Sequence, residues 1–228
     1  MMTIETLSNL HHSNIILHIT AGSIALIAGI IILLTNKGGR FHRNTGKIFM
    51  ILLAIVIFTG LIGVFVFKRN SFLLVITVLS GYLGYSGYRT LKTRSNQPKI
   101  IDIGIAILSV LSVCYFLYYF KSIGMIWAPS IIYSTLGYLI AVVTYDLGRY
   151  FIPVAIYTNL WLYEHILKMV SAFSGLLSAF TGTVFPQYQP YSQFLPSVFG
   201  ALVAIGFMIA AYRKQSGLSP TSSTAQMR

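Results

Sequence analysis

The residues of this sequence that could do chemistry are few, and five of them fall between residues 146 and 168. Glu164, His165 and Lys168 belong to the segment EHILK, and Asp146 and Arg149 precede it. Glu164 and Lys168 are four residues apart, in the order that favours an ion pair along one helix. Carboxylates and imidazoles can exchange protons, and cationic side chains can hold anions. We expect a hydrogen-bonded network at the level of the lipid headgroups, with a polar cavity as the alternative.

A second concentration of polar residues is the segment GGRFHRNTGK, which contains His42 and Arg43. It is not a phosphate-binding loop, because its glycines enclose RFHRNT, six residues rather than four, and no Ser or Thr follows its lysine. We interpret it as a tight connection in which NKGG ends one helix and Asn44 or Thr45 caps the next. This interpretation explains the glycines and most of the charge, but it does not explain His42.

Three histidines are candidates for a functional role. His18 shares a helical face with glycines, which predicts burial and leaves two roles open: a ligand or proton carrier, or a structural hydrogen bond. His42 and His165 are the pair that could hold one haem or metal. A di-haem arrangement is excluded, because His18 is predicted at the other membrane face and two complete pairs cannot form. Neither Cys nor Met residues cluster in a way that favours copper.

Composition predicts that membrane helices position these side chains. Of 228 residues, 56% are hydrophobic and 9% are charged, whereas a soluble domain has about 25% charged residues. Apolar stretches of this length cross the hydrocarbon core as helices, which satisfy their own backbone hydrogen bonds. We predict an all-α bundle of seven spans, at residues 15–34, 48–67, 72–91, 100–120, 126–145, 166–185 and 195–212. The start of the sixth span is left open, because residues 150–163 are aromatic and apolar and are suited to lie flat at the interface, within a connection of about twenty residues.

The basic residues orient this bundle. Twelve Lys and Arg residues fall on one side of the predicted spans, whereas Lys68, Arg69 and Lys121 fall on the other. The positive-inside rule then places the N-terminus outside and the C-terminus in the cytoplasm of a bacterial inner membrane. The net charge of +12 predicts contacts with the bilayer and its anionic headgroups and not with nucleic acid, since the basic residues are spread over alternating loops.

The chain is organised as one transmembrane domain, residues 1–214, followed by a Ser- and Thr-rich cytoplasmic tail, residues 215–228, which we expect to be disordered. In the third span, Gly81, Gly84 and Gly87 alternate with tyrosines, a pattern typical of close helix packing, with a tyrosine-lined cavity as the alternative. The single cysteine, Cys114, is predicted to be a small core residue.

Three segments of the sequence resemble a known family. HITAGSIALIAG, HRNTGKIF and HILKMVSAFSGLLSAF are similar to the bacterial membrane proteins grouped as domain of unknown function 2306. The likeness covers most of the chain and supports the seven-helix bundle. The matching positions are His18, Gly22, His42, Arg43, Gly46, His165, Met169, Ala179 and Phe180. The family's activity is unknown, so the resemblance implies no substrate.

Three functions follow as hypotheses. The first is a membrane protein that handles a small solute through a polar, His-containing cluster on the cytoplasmic side. The second is a redox protein with one haem or metal held by His42 and His165. The third is a membrane enzyme acting on a lipid or isoprenoid, with Glu164 or His165 as acid or base and Arg43, Arg149 and Lys168 holding a phosphate. No Ser-His-Asp order, HExxH motif or aspartate cluster identifies a catalytic residue.

Overall fold

The computed structural model describes residues 4–67, 71–122 and 129–216, and every regular element in these ranges is a helix. The long helices are α1 (Ile4–Leu34), α2 (Arg40–Phe65), α3 (Ser71–Thr93), α4 (Ile100–Ser122), α5 (Pro129–Gly148), α6 (Val154–Val184) and α7 (Tyr191–Ser216). The all-helical prediction is therefore confirmed for the described ranges. The predicted tail lies outside them, apart from residues 215 and 216, which belong to α7.

Six of these helices are long and apolar enough to cross a membrane: α1, α2, α4, α5, α6 and α7. The exception among the described helices is α3, which packs against α2, α4, α5 and α6. A helix enclosed by protein meets little lipid, so it can carry more polar side chains than a helix at the periphery. The six apolar helices support a multi-pass membrane protein, and the count of seven spans stays a prediction.

The antiparallel pair α3 and α6 forms the centre of the bundle. Ser80 lies against Gly175, and Gly87 lies against Lys168, so residue numbers fall along α3 as they rise along α6. The α1–α2 hairpin covers one side of this pair, the α4–α5 hairpin covers α3 on the other, and α7 packs on α6. Side chains that α3, α5 and α6 direct inward are therefore shielded by further helices.

Four chain segments meet at one end of the bundle, which we call the basic end: the α1–α2, α3–α4 and α5–α6 connections and the end of α7. The Asn96 side chain donates a hydrogen bond of 2.5 Å to the carbonyl of Ile152, which joins two of these connections. Tyr163 of α6 donates to Gln215 of α7 at 3.1 Å. The basic residues of four separate sequence regions are thus gathered at one end.

The α1–α2 connection is built around Lys37 and Gly38. The Lys37 ammonium donates to the carbonyls of Ile32, Leu33 and Thr35 and so caps the end of α1. Partial burial lowers the pKa of Lys37, and Gly38 takes a positive φ of 81° that favours glycine.

The prediction that Asn44 or Thr45 caps α2 is wrong. The helix begins at Arg40, after Gly39 as its N-cap, and no side chain caps it. Both residues therefore lie inside the helix.

The start of α6 also differs from the prediction. Residues 150–163 do not lie flat in a connection of about twenty residues; a 3-10 turn, Arg149–Phe151, leads through Pro153 into a helix that begins at Val154. Tyr157, one turn into α6, is almost fully buried and contacts Arg149. The aromatic segment is therefore part of the helix bundle, where Tyr157 contacts Arg149. With this segment included, α6 is 31 residues long.

The glycine pattern in α3 packs as predicted. A methyl group on Gly81 would meet Ile57 at 3.2 Å, and one on Gly84 would meet Leu53 at 2.7 Å, so these glycines let α2 approach closely. The prediction for Cys114 is wrong, because its side chain is exposed on α4, while Val113 and Phe116 form part of the buried face.

Candidate functional site

The most polar part of the interior is a group of four charged side chains, Asp146, Arg149, Glu164 and Lys168, which we call the four-charge cluster. Asp146 lies in the last turn of α5, Arg149 in the 3-10 turn that follows, and Glu164 and Lys168 in α6. All four are buried. The short turn between α5 and α6 brings the two pairs together, so residues predicted to form one polar cluster do meet.

Lys168 lies at the centre of the cluster. The residue is 1% exposed, and its ammonium contacts Asp146 Oδ1 at 2.5 Å and Glu164 Oε2 at 3.3 Å. The pairing of Glu164 with Lys168 along the helix is therefore present, but the shorter contact is to the carboxylate of α5. One ammonium thus bridges two acids from two helices.

Arg149 completes the charge balance. Its Nη1 forms an ion pair with Glu164 Oε2, donates to the Thr90 hydroxyl at 2.9 Å and donates to the Tyr157 hydroxyl at 3.0 Å. Its Nε lies 3.9 Å from Asp146 Oδ1. Two carboxylates and two cations leave the cluster with no net charge, which lowers the cost of burying it.

Hydroxyl groups satisfy the remaining carboxylate oxygens. Asp146 Oδ2 accepts hydrogen bonds from Tyr82 at 2.9 Å and Ser86 at 2.5 Å. Glu164 accepts from Tyr145 at 2.7 Å and Tyr157 at 3.1 Å. Lys168 donates to both acids and so joins the two sets of hydroxyl groups into one hydrogen-bonded network.

A small cavity adjoins the cluster on the side of α4. It is lined by Tyr82, Tyr85, Ser86, Arg89, Asp102, Ala106, Asp146, Arg149 and Tyr150. Its volume of about 10 Å³ is close to the minimum that one water molecule requires. Arg149 Nε faces this region and has no hydrogen-bond partner among the described residues. The cavity can therefore hold a single water molecule in contact with the cluster.

A partly buried ion pair, Arg89–Asp102, borders the cavity near the end of α3. Arg89 donates to both oxygens of Asp102, at 2.7 and 2.8 Å, and Tyr85 donates to the same carboxylate at 2.6 Å. This pair lies one turn closer to the basic end than Ser86. Of the acids in the sequence, Asp102, Asp146 and Glu164 all lie in or beside this network.

His18 and Arg43 lie elsewhere. His18 Nδ1 donates to the Thr59 hydroxyl at 2.8 Å, because that hydroxyl gives its own proton to the carbonyl of Ile55 at 2.7 Å. The imidazole lies near Thr77, about 13 Å along α3 from Ser86. Arg43 is exposed on α2. The structure therefore gives His18 a structural hydrogen bond and separates both residues from the cluster.

His42 and His165 form a different site on the other side of α6. His165 Nδ1 donates to the carbonyl of Gly87 at 3.0 Å. His42 Nδ1 is buried and has no hydrogen-bond partner in the described part of the chain. The described residues hold no group of three or more His, Cys, Asp or Glu side chains that could bind a metal ion.

Sequence reasoning missed the hydroxyl groups of α3. Tyr82, Ser86 and Thr90 recur every fourth residue, and this spacing places them on one face of a helix. The same segment has a more conspicuous spacing of three, formed by its glycines and tyrosines. The spacing of four was the signal that could have identified the α3 side of the cluster.

No protein-family model, curated protein or solved structure matches this chain. The resemblance to domain of unknown function 2306 therefore stays a prediction.

Proposed function

We propose that this chain is a seven-span protein of a bacterial inner membrane and that its four-charge cluster takes up and releases protons that cross the membrane. In this proposal the basic end faces the cytoplasm and contacts anionic headgroups, as the positive-inside rule requires. The proton is the small solute that the cytoplasmic cluster handles. The proposal rests on the geometry of the described residues around Lys168.

The observation that carries this function is the sharing of the Lys168 ammonium by Asp146 and Glu164. Protonation of Asp146 would remove its attraction for Lys168, and the ammonium could then pair more closely with Glu164. Release of that proton would restore the first arrangement. A lysine between two carboxylates on different helices is thus a two-position element that a single proton can bias.

The cavity supplies the route by which a proton could reach Asp146. A water molecule held there could bond to Arg149 Nε and to the Asp146 carboxylate. The Arg89–Asp102 pair and Tyr85 border the cavity towards the basic end. Protons would therefore arrive from the cytoplasmic side, through groups that can donate and accept hydrogen bonds.

The energetic cost of the cluster favours a functional role over a purely structural one. A charged side chain at the bilayer centre costs about 2.5–3.5 kcal/mol on insertion, and near the headgroups the main cost is the desolvation of each charge inside the protein. A buried ion pair commonly returns no more stability than well-packed apolar residues of the same volume. Four buried charges therefore stabilise the contact between helices less effectively than apolar packing would. Ionisable groups inside membrane proteins commonly mark proton or ion pathways.

The size of the cavity favours a proton over a larger solute. A volume of about 10 Å³ has room for one water molecule, whereas pockets for small organic ligands measure about 300–1,000 Å³. Protons need no cavity of that size, because they move along hydrogen bonds between groups that stay in place.

The test is proton flux into vesicles that contain the purified protein. A pH-sensitive dye inside the vesicles reports the flux that follows an imposed membrane potential. We expect a flux above that of empty vesicles, and we expect Asp146→Asn and Tyr82→Phe to reduce it. Tyr138→Phe is the matched control, because Tyr138 bonds to Ser171 at 2.8 Å and does not contact the cluster.

Two results would overturn the proposal. One is wild-type protein that gives the same flux as empty vesicles. The other is an Asp146→Asn variant that elutes as a single species, keeps its helical circular dichroism and transports protons at the wild-type rate.

A further inference from the structure

His42 of α2 and His165 of α6 lie at the same level of the bundle. The rings of Phe49 in α2 and Phe173 in α6 are 6.5 Å apart, and both helices begin at the basic end. His42 is seven residues before Phe49, and His165 is eight residues before Phe173. At a rise of about 1.5 Å per residue, both lie roughly 10–12 Å from the Phe pair in the same direction. The two imidazoles therefore lie at the same depth, on the two helices whose Phe49 and Phe173 rings are neighbours.

The free nitrogens of these imidazoles are suited to bind a metal ion. Because the carbonyl of Gly87 can only accept, His165 Nδ1 carries the proton and Nε2 keeps its lone pair in the neutral ring. A backbone carbonyl in this position is the usual outer partner of a metal-bound histidine. On the other ring, His42 Nδ1 is buried without a hydrogen-bond partner among the described residues. Each ring thus offers a nitrogen.

Met169 supplies a third donor next to His165. It follows His165 by four residues, so the two side chains share a face of α6. A methyl group on Gly87 would lie 3.1 Å from Met169 Sδ, and the Gly87 carbonyl is the one that holds His165. The thioether and the imidazole therefore flank the same glycine of α3.

We propose that His42, His165 and Met169 bind one Cu(I) ion. Two neutral imidazoles and a thioether form a soft, uncharged ligand set, which suits Cu(I) better than a divalent ion. The nearby sequence is basic, with Arg40, Arg43 and Lys47 on the same helix, and a cation of lower charge is repelled less by it. The site is separate from the four-charge cluster and does not depend on the proton-handling proposal.

A single ion fits this site better than haem. Met169 packs against Gly87, and a methyl group on Gly29 of α1 would overlap the ring of Phe173. Helix α3 is therefore in close contact with α6 beside His165, and α1 is in close contact with α6 two turns deeper. A macrocycle would have to separate α3 from α6, whereas a single ion needs far less space.

The test is anaerobic titration of the purified full-length protein with Cu(I) in competition with a coloured Cu(I) chelator. The protein carries Cys114→Ser, because a lone exposed thiol also binds copper. We expect one equivalent to bind, and His42→Gln or His165→Gln to weaken binding by more than the roughly 10–100-fold loss that outer-sphere changes cause. His12→Gln is the control, since that exposed histidine bonds to the carbonyl of Ser8 at the start of α1.

X-ray absorption at the copper edge gives a second readout that does not depend on variants folding well. We expect nitrogen scatterers and one sulfur scatterer, with the sulfur lost in Met169→Leu. Failure to bind Cu(I), or equal binding by His42→Gln, would refute the site. Binding of Zn(II) or haem in preference to Cu(I), with the same dependence on both histidines, would refute the assignment of the metal.

Discussion

Replacement of Lys168 by methionine leaves two carboxylates and one guanidinium in the cluster. Methionine has a similar length and no charge, so it fills the space of the lysine stem. The cluster changes from a net charge of zero to −1, and Asp146 loses its contact of 2.5 Å. Arg149 Nε, at 3.9 Å from Asp146, is the remaining cation that could compensate, and Glu164 already engages Arg149.

The expected cost of Lys168→Met is about 3–5 kcal/mol, the range for removal of one partner from a buried ion pair. The lysine is 1% exposed, so water does little to screen the charge that remains. The double variant Lys168→Met, Asp146→Asn restores a net charge of zero. Its free energy of unfolding should therefore exceed the value expected from adding the two single losses, by about 0.5–3 kcal/mol.

The assay is unfolding of the four proteins in mixed micelles of increasing sodium dodecyl sulfate content, followed by circular dichroism. Lys92→Met is the matched control, because Lys92 is exposed in the last turn of α3, and we expect a change within about 0.5 kcal/mol. A Lys168→Met variant as stable as the wild type would refute the argument that this lysine neutralises buried carboxylates. Strict additivity in the double variant would refute the direct pairing of Lys168 with Asp146.

Two further predictions concern the packing of α7 and the hydrogen bond of His18. Gly200→Ala should destabilise the protein by about 1–3 kcal/mol, because the new methyl group would overlap Ser174. Gly206→Ala in the same helix is the control, since a methyl group there meets nothing within 4 Å. Equal melting temperatures for both variants would contradict this packing. Thr59→Val should lower the free energy of unfolding by about 0.6–1.7 kcal/mol, the range for hydrogen bonds within membranes, because it removes the partner of His18. An unchanged free energy of unfolding would show that this hydrogen bond adds no stability.

The members of the four-charge cluster could be predicted from sequence, because their contacts depend on short spacings. Glu164 and Lys168 are one helical turn apart, and Asp146 and Arg149 are three residues apart at a predicted helix end. The predicted orientation places both pairs at the same membrane face, which is why they were expected to come together. The sequence did not predict which carboxylate lies closest to Lys168. That carboxylate belongs to Asp146, which is 22 residues earlier in the chain.

The start of α6 and the hydroxyl face of α3 could not be read from hydropathy. Tyr157 belongs to a segment whose aromatic residues suit an interface as well as a helix, and its contact with Arg149 depends on tertiary structure. Similarly, α3 can carry Ser86 and Thr90 because neighbouring helices enclose it. The hydropathy of the α3 segment alone does not show that other helices surround it. His18 was separated from the other histidines by reasoning on depth, and its partner Thr59 lies 41 residues away.

The central claim, that Asp146 accepts a proton within the cluster, can be tested by carbon-13 labelling of aspartate in the lipid-embedded protein. The sequence contains two aspartates, Asp102 and Asp146, so an Asp102→Asn variant gives a single side-chain carboxyl signal. We predict that Lys168→Met increases the share of this signal at the carboxylic acid position at any one pH, because it removes the positive charge that favours the carboxylate. A signal with the same share of carboxylic acid in both proteins would contradict the claim.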